Sequence, residues 1–119
     1  METTNNSILR IHASSTDKIG HKLLYEYIVY LAKEDGISGV TVYRGIMGYG
    51  ESSKHIDSSK FWELTEKLPI MIEIIDKTDK IESFYSKIET DLINMSKGCL
   101  VTIEPIKIKL QKSGERKKI

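Results

Sequence analysis

Two kinds of hydrophobic spacing alternate along this chain, and their order limits the folds that it can adopt. Apolar residues at every second position predict β-strands, and apolar residues three and four apart predict amphipathic helices. The order of these patterns is strand, helix, strand, strand, helix, strand, which predicts a ferredoxin-like α+β domain whose antiparallel sheet has both helices on one face. The predicted strands are 7–13, 40–47, 70–75 and 100–110, and the predicted helices are 21–35 and 78–92.

The ends of these elements are marked by residues with known preferences. Gly36 is expected to end the first helix, because glycine accepts a left-handed backbone, and Asp76 or Thr78 is expected to cap the second. Pro105 favours an edge position or a bulge for the last strand, because proline donates no backbone hydrogen bond. The helical stripes are Leu24, Tyr27, Ile28 and Leu31, and then Ile81, Phe84, Tyr85, Ile88 and Leu92.

The third strand is apolar on both of its faces. Ile70, Ile72 and Ile74 share one face, and Met71 and Ile75 share the other. Helices on one side of a sheet leave the second apolar face without a cover. Copies of the same sheet are the simplest cover, so we predict a homo-oligomer.

Length and charge narrow the classes of protein further. The 119 residues suit one domain, predicted over 7–110, with a disordered N-terminus at 1–6 and a basic tail at 111–119. The 18 basic and 17 acidic residues nearly cancel, which argues against nucleic acid as a partner. There is no secretory signal pattern and no apolar run long enough to cross a bilayer, so we expect a soluble, cytoplasmic protein.

Few residues suggest catalysis or metal binding. Cys99 is the single cysteine, and we expect a small buried hydrophobic residue there rather than a reactive thiol. The spacing of His12, His21 and His55 matches no local metal-binding motif. No nucleophile is visibly paired with a base. We therefore predict that the protein is not an enzyme and has neither catalytic residues nor a metal site.

The segment from Gly48 to His55 is the first candidate for ligand binding. Glycines at positions 48 and 50 allow close approach to a ligand, and successive N–H groups in such turns can form an anion-binding nest. Ser52, Ser53 and Lys54 add hydroxyl groups and a positive charge. The same residues also fit an ordinary flexible connection. Beyond it we expect a helical turn at 61–64, with Phe61 and Trp62 packed against the base of the loop.

Basic residues near the end of the chain are the second candidate. Lys107 and Lys109 lie two apart in a predicted strand, so their ammonium groups share one face and could hold a phosphate between them. They equally fit the solvated face of an edge strand. The turn Lys97-Gly98 precedes that strand. Arg44 fits either an anion contact or a salt bridge.

Several segments together resemble the domain of unknown function 190 (DUF190), over about Ile8 to Leu110. The most specific is residues 41–50, Thr-Val-Tyr-Arg-Gly-Ile-Met-Gly-Tyr-Gly. That family is similar to the PII nitrogen-regulatory signalling proteins. The other segments are 9–11, 24–26, 68–70, 80–82 and 98–104.

This resemblance implies a PII-like trimer with its sheets facing inward. It implies an adenine nucleotide (AMP, ADP or ATP) in the clefts between subunits, and regulation of a partner protein such as a membrane transporter or channel. Binding of Mg²⁺ or a 2-oxoacid stays open. The alternative is a trimeric protein of the divalent-cation-tolerance type that binds metal or another small molecule.

The resemblance and the local patterns together give two sets of candidate residues. The T-loop of PII proteins, which contacts partners, is matched by a shorter loop here. The candidate ligand-binding residues are Thr41, Arg44, Gly48, Tyr49, Gly50, Lys97, Gly98, Lys107 and Lys109, and the candidate partner-binding residues are Glu51, Ser52, Ser53, Lys54 and His55.

Overall fold

Four long strands and two helices make up the fold. The computed structural model describes residues 3–58 and 67–115. Among these residues no helix is long and apolar enough to span a membrane. In chain order the elements are β1 (Thr3–Ser14), β2 (Lys18–Ile19), β3 (Lys22–Leu23), α1 (Leu24–Glu34), β4 (Gly39–Arg44), β5 (Met47–Gly48), β6 (Asp57–Ser58), β7 (Pro69–Lys77), α2 (Thr78–Asn94) and β8 (Leu100–Ile108).

The main sheet has the strand order β4-β7-β1-β8, and all of its pairings are antiparallel. This is the predicted ferredoxin-like arrangement, with the two central strands coming from different halves of the chain. β8 lies at an edge, which confirms the position indicated by Pro105. The small pairs β2–β3 and β5–β6 lie outside this sheet.

One face of the sheet forms the core with both helices. Leu9 and Ile11 of β1 and Ile72 and Ile74 of β7 are completely buried there. The helical residues that meet them are Leu24, Ile28 and Ala32 of α1 and Ile81, Phe84, Ile88 and Leu92 of α2. The predicted stripes are therefore confirmed, although Tyr27, Leu31 and Tyr85 are only partly buried.

The other face of the sheet, which we call the open face, mixes charges with apolar side chains. Arg10 lies between two carboxylates, with its Nε 3.3 Å from Glu73 Oε2 and its Nη1 bonded to Glu104. Met71 and Ile75 lie on this face and are half-buried. No helix among the described residues packs against it, as the predicted layering requires.

Four predicted boundaries need correction. The last strand ends at Ile108 rather than at residue 110, so Lys109 lies beyond it. β1 begins at Thr3, four residues before the predicted start, because Thr3 pairs with Ile108 and Asn6 pairs with Ile106. α1 begins at Leu24 rather than at residue 21, because the preceding Lys22–Leu23 pairs with β2 instead. The predicted strand 40–47 is split after Arg44, where the backbone leaves the main sheet.

One prediction about helix ends is confirmed and one is wrong. Gly36 has a φ of 74° and follows the end of α1, as expected. Neither Asp76 nor Thr78 caps α2: its N-cap is Lys77, without a side-chain hydrogen bond. The two side chains are used elsewhere, because the Asp76 carboxylate accepts from the N–H groups of Ser38 and Lys77, and the Thr78 hydroxyl bonds to the Ser7 hydroxyl.

Candidate functional site

The candidate ligand residues lie mainly at two opposite ends of the main sheet. We call the end where β1 and β4 finish and β7 and β8 begin the loop end. We call the opposite end, where β8 finishes, the tail end. Thr41 lies between them, exposed on β4 and paired with Glu73.

The loop end is organised around Pro69. The N–H of Gly45 donates to the Pro69 carbonyl over 2.7 Å. A Cβ at Gly45 would lie 2.9 Å from Pro69 Cγ, and a Cβ at Gly48 would lie 3.4 Å from the same atom. The backbone therefore folds closely over the proline ring before residues 47–48 pair with residues 57–58. We call residues 45–58 the glycine hairpin.

The tip of the glycine hairpin does not form the predicted nest at Gly50. The Gly50 N–H donates to Ser53 Oγ over 3.0 Å, and the Ser53 N–H donates to the Gly50 carbonyl over 3.1 Å. Both N–H groups are thus used within the turn. Neither Gly48 nor Gly50 has a positive φ, so no left-handed backbone requires glycine at either position, and a Cβ at Gly48 would lie at van der Waals distance from Pro69.

The glycine hairpin meets the turn that precedes β8. A Cβ at Gly98 would lie 3.1 Å from Ser52 Oγ, which is closer than a side-chain carbon normally approaches. The two segments are therefore neighbours, and Gly98 leaves room for the serine. The structure therefore brings together two of the predicted ligand-binding segments, Gly48-Tyr49-Gly50 and Lys97-Gly98.

The loop end carries exposed cations. Arg44, Lys54 and Lys97 are exposed, and none of them takes part in an ion pair among the described residues. The tyrosine ring of Tyr49 is also open to solvent, with 74% of its surface exposed. Hydroxyl groups, cations and an aromatic ring are the groups that a phosphate-bearing aromatic ligand requires.

The sequence reasoning missed a second hairpin at the loop end, formed by β2 and β3. Asp17 is buried and fixes its start, because its Oδ2 accepts from the Ser14 N–H over 2.9 Å. Lys18, His21 and Lys22 are exposed on this hairpin. Strands of two residues contain no repeat of hydrophobic spacing, so the only signal in the sequence was Gly20, which has a φ of 61°.

Lys107 and Lys109 lie at the tail end instead. β8 runs from Leu100, which pairs with His12, to Ile108, which pairs with Thr3. The eight steps between these two residues, at about 3.3 Å each, separate them by about 26 Å. Within one chain, the paired lysines therefore cannot share a small ligand with the glycine hairpin.

The predicted burial of Cys99 is wrong, and the histidines are scattered. Cys99 is exposed, because it precedes the edge strand β8, which has a neighbour on one side only. His12, His21 and His55 are exposed. Over residues 3–58 and 67–115 there is no group of three His, Cys, Asp or Glu side chains that could hold a metal ion. The helical turn predicted at 61–64, with Phe61 and Trp62, lies outside the described residues.

A family profile matches the chain over residues 6–108, and its description is DUF190, Uncharacterized ACR. The chain belongs to the DUF190 family. The predicted resemblance is therefore confirmed, and the match extends over nearly the whole main sheet, from Asn6 within β1 to the end of β8.

Relatives of this DUF190 protein occur in distant organisms. It is 34% identical to a UPF0166 protein of Aquifex aeolicus over 108 residues, which cover 91% of this chain and 97% of the relative. It is 36% identical to a UPF0166 protein of Methanocaldococcus jannaschii over 81 residues, which cover 68% of this chain and 73% of the relative.

A solved structure shares the fold of this DUF190 protein. It is that of CPII from Thiomonas intermedia K12, a nitrogen regulatory PII-like protein, bound to ADP, AMP and bicarbonate. The TM-score is 0.65, the two sequences are 16% identical, and the match covers 91% of each chain. The PII-like, ferredoxin-like fold predicted from the sequence is therefore confirmed.

Proposed function

We propose that this DUF190 protein is a PII-like signalling protein that binds an adenine nucleotide without turning it over. In this proposal it is a cytoplasmic homotrimer, and AMP, ADP or ATP binds in each cleft between two copies. The glycine hairpin and the Lys97-Gly98 turn of one copy hold the ligand together with Lys107 and Lys109 of the next. Nucleotide binding then changes the contact of the hairpin with a partner protein.

The separation of the candidate residues carries this proposal. The glycine hairpin and Lys97 lie at the loop end, whereas the paired lysines lie about 26 Å away along β8. One copy therefore offers two incomplete halves of a phosphate site. In a cyclic oligomer, each interface joins one surface of a subunit to a different surface of the next, which can bring two such halves together.

Two further observations support a nucleotide and a trimer. The exposed cations Arg44, Lys54 and Lys97 make no ion pair among the described residues, so they are available to phosphate oxygens. The open face of the sheet has apolar groups to bury against other copies, including Leu100, which is 60% exposed. The shared fold with a protein bound to ADP and AMP makes adenine nucleotides the first ligands to test.

The glycine hairpin suits contact with a partner protein. Four large apolar side chains on it are well exposed, namely those of Ile46, Met47, Tyr49 and Ile56. Clusters of exposed apolar groups are typical of protein interaction sites. A ligand held between Ser52 and Lys97 would fix the hairpin in one position, which is a common form of switching. We propose a membrane transporter or channel as the class of partner.

Calorimetric titration with AMP, ADP and ATP, with and without Mg²⁺, tests the nucleotide proposal. We expect binding to the wild type and about a tenfold loss of affinity in Lys97→Ala and in the double variant Lys107→Ala, Lys109→Ala, because each removes charged hydrogen bonds to phosphate. Lys112→Ala is the matched control, and we expect it to bind as the wild type does.

Light scattering on the same samples tests the assembly. A trimer is expected, and a stable monomer that still binds nucleotide would contradict a site between copies. Thermal stabilisation by divalent metal ions and by none of the three nucleotides would overturn the proposed function, because a ligand that binds the folded state must raise the melting temperature.

A further inference from the structure

A cluster of exposed apolar side chains lies on the glycine hairpin. Nine large apolar side chains are exposed among the described residues, and four of them, Ile46, Met47, Tyr49 and Ile56, lie within eleven residues of sequence. Ile46 and Tyr49 are 75% and 74% exposed, and none of the four belongs to the hydrophobic core. Exposed apolar groups that cluster in this way indicate a contact surface.

Three of these side chains share one face of the hairpin. The pairing of β5 with β6 sets Gly48 opposite Asp57. Continuing that register by one position sets Tyr49 opposite Ile56, and opposite residues of an antiparallel pair have their side chains on the same face. Met47 lies two residues before Tyr49, so it shares this face as well. The glycine hairpin therefore presents an apolar face to solvent.

Positively charged side chains flank this apolar face. Arg44 precedes the hairpin, Lys54 lies within it, and Lys97 adjoins Gly98, which is the close neighbour of Ser52. The three cations are exposed and make no ion pair among the described residues. Lysine is depleted at the cores of protein interfaces, whereas an anionic membrane attracts each lysine or arginine near its surface. Cations beside an apolar face therefore favour lipid as the contact.

The β2–β3 hairpin lies at the same end of the sheet and extends this basic surface. The Ser15 N–H donates to the Leu68 carbonyl over 2.8 Å, and the next residue, Pro69, is the one over which the glycine hairpin folds. Both hairpins are thus attached at the start of β7. Lys18 and Lys22 are exposed on the β2–β3 hairpin.

The charge balance of the loop end is positive. Residues 15–23, 44–56 and 96–98 contain five basic and two acidic residues, and one of the acids, Asp17, is buried. Residues 57–67 contain two basic and three acidic residues. The loop end therefore keeps an excess of positive charge although the whole chain is nearly neutral, and such an excess attracts anionic surfaces.

We propose that the loop end binds the surface of an anionic membrane, with the apolar face of the glycine hairpin inserted among lipid headgroups and the cations against lipid phosphates. Binding at a membrane surface combines buried apolar area with attraction to anionic lipids, and the loop end offers both. Tyr49 suits the headgroup region, because its ring is apolar and its hydroxyl is polar. This inference extends the proposed function, which gives the same hairpin a protein partner in a membrane, but it requires no nucleotide.

Sedimentation of the full chain with lipid vesicles tests the apolar contact. We expect binding, without nucleotide, to vesicles of equal parts phosphatidylglycerol and phosphatidylcholine. The double variant Ile46→Ser, Tyr49→Ser should bind about tenfold more weakly or worse, because less apolar area leaves water. The matched control is Tyr30→Ser, Ile93→Ser, which removes the same residue types from the helices, where they are 70% and 72% exposed. It should bind as the wild type does.

A second pair of variants tests the charges. Lys18→Ala, Lys22→Ala should weaken vesicle binding about 25-fold, because each lysine near an anionic surface contributes about fivefold. Lys33→Ala, Lys112→Ala removes the same charge away from the loop end and should bind as the wild type does. Raising the ionic strength from about 0.1 to about 1 M should release the wild type, because the Debye length falls from about 10 to about 3 Å.

Vesicles of phosphatidylcholine alone and calorimetry with ADP complete the test. We expect weak binding to phosphatidylcholine, and unchanged ADP affinity in Lys18→Ala, Lys22→Ala. Equal binding to both kinds of vesicle, equal losses in test and control variants, or no binding to any vesicle overturns membrane docking. If vesicles are not bound while ADP is, the proposed function stands and the hairpin contacts a protein alone. If vesicles are bound while ADP is not, membrane docking stands without the nucleotide function.

Discussion

The two ends of the sheet are held together in different ways. At the tail end, side chains pair with one another: Asp76 contacts two backbone N–H groups, and Lys80 Nζ lies 3.6 Å from Asp76 Oδ2 and donates to the Gly36 carbonyl over 2.7 Å. At the loop end, backbone contacts and close glycine packing against Pro69 hold the segments instead.

Because of this difference, the charged side chains fall into two groups: those that hold the fold together through ion pairs, and those that can contact a ligand. The cations of the helix layer are used in ion pairs: Lys87 of α2 pairs with Asp35 after α1, and Lys80 of α2 pairs with Asp76 near the end of β7. The exposed loop-end cations make no such pair among the described residues. Substitution at the tail-end junction should therefore change stability, whereas substitution of a loop-end cation should change ligand affinity.

The largest effect on stability is expected at Gly45. Alanine there would place its Cβ 2.9 Å from Pro69 Cγ and 3.2 Å from the Pro69 carbonyl oxygen, so the hairpin or the start of β7 must move. We expect Gly45→Ala to lower the free energy of unfolding by up to about 3 kcal/mol, the usual range for overpacking. Urea unfolding measures this.

Gly39→Ala is the control for the glycine prediction. Nothing lies within 4 Å of a Cβ at that position, and Gly39 does not have a positive φ. Its unfolding free energy should stay within about 0.5 kcal/mol of the wild type. The double variant Gly45→Ala, Pro69→Ala should recover part of the loss, because the ring carbon is removed. Equal stability of the two single glycine variants would show that Pro69 does not fix the hairpin.

An intermediate effect is expected at Asp76. Burial raises the pKa of its carboxyl, but hydrogen bonds from Lys77 and Ser38 and the charge of Lys80 outweigh burial and bring the pKa below its ordinary value. Asp76→Asn places an NH₂ group against one of two N–H donors and should cost about 2 kcal/mol at neutral pH. Chemical unfolding across a pH series measures this.

The sign of the pH dependence follows from the lowered pKa. The stabilisation by Asp76 is present above the ordinary pKa of about 3.9 and is lost as the pH falls through the lower value in the folded protein. Wild type and Asp76→Asn should therefore converge in stability in strong acid and differ most near neutrality. A constant difference at every pH would mean that the carboxylate charge does not hold this junction.

The smallest stability effects are expected for substitution of single lysines. One lysine from each end of the sheet allows the two ends to be compared directly. Lys80→Ala should lower the unfolding free energy by about 1 kcal/mol or less, because its side chain is 41% exposed and solvent screens the pair. Lys97→Ala should leave stability unchanged and weaken ADP binding. A fall in stability for Lys97→Ala without a change in ADP affinity would assign that lysine to the fold.

The elements that the sequence predicted are those with long hydrophobic repeats. The stripe from Ile81 to Leu92 and the alternation from Ile70 to Ile74 each include several buried positions, so their type and layer followed from spacing. The short hairpins could not be predicted from spacing, because β2, β3, β5 and β6 have two residues each. The predicted cap of α2 was wrong because the side chains of Asp76 and Thr78 bond to residues that are distant in the sequence. Local residue preferences do not reveal such bonds.

The sequence predicted which residue types form the candidate site, but it did not predict where the fold places them. Glycines, serines and lysines indicated an anion site, but only the fold shows that Ser52 lies against Gly98 while Lys107 and Lys109 lie at the other end of β8. The requirement for Gly45 was also invisible, because it comes from Pro69, which is far along the chain.

Mixed oligomers test most directly whether one nucleotide site is built from two copies. The variant Lys97→Ala is impaired at the loop end, and the double variant Lys107→Ala, Lys109→Ala is impaired at the tail end, so each alone should bind ADP weakly. In trimers co-expressed from equal amounts of both, about a quarter of the clefts should combine two intact halves and regain wild-type affinity. If no tight ADP site returns in the mixture, the site does not lie between copies and the account is contradicted.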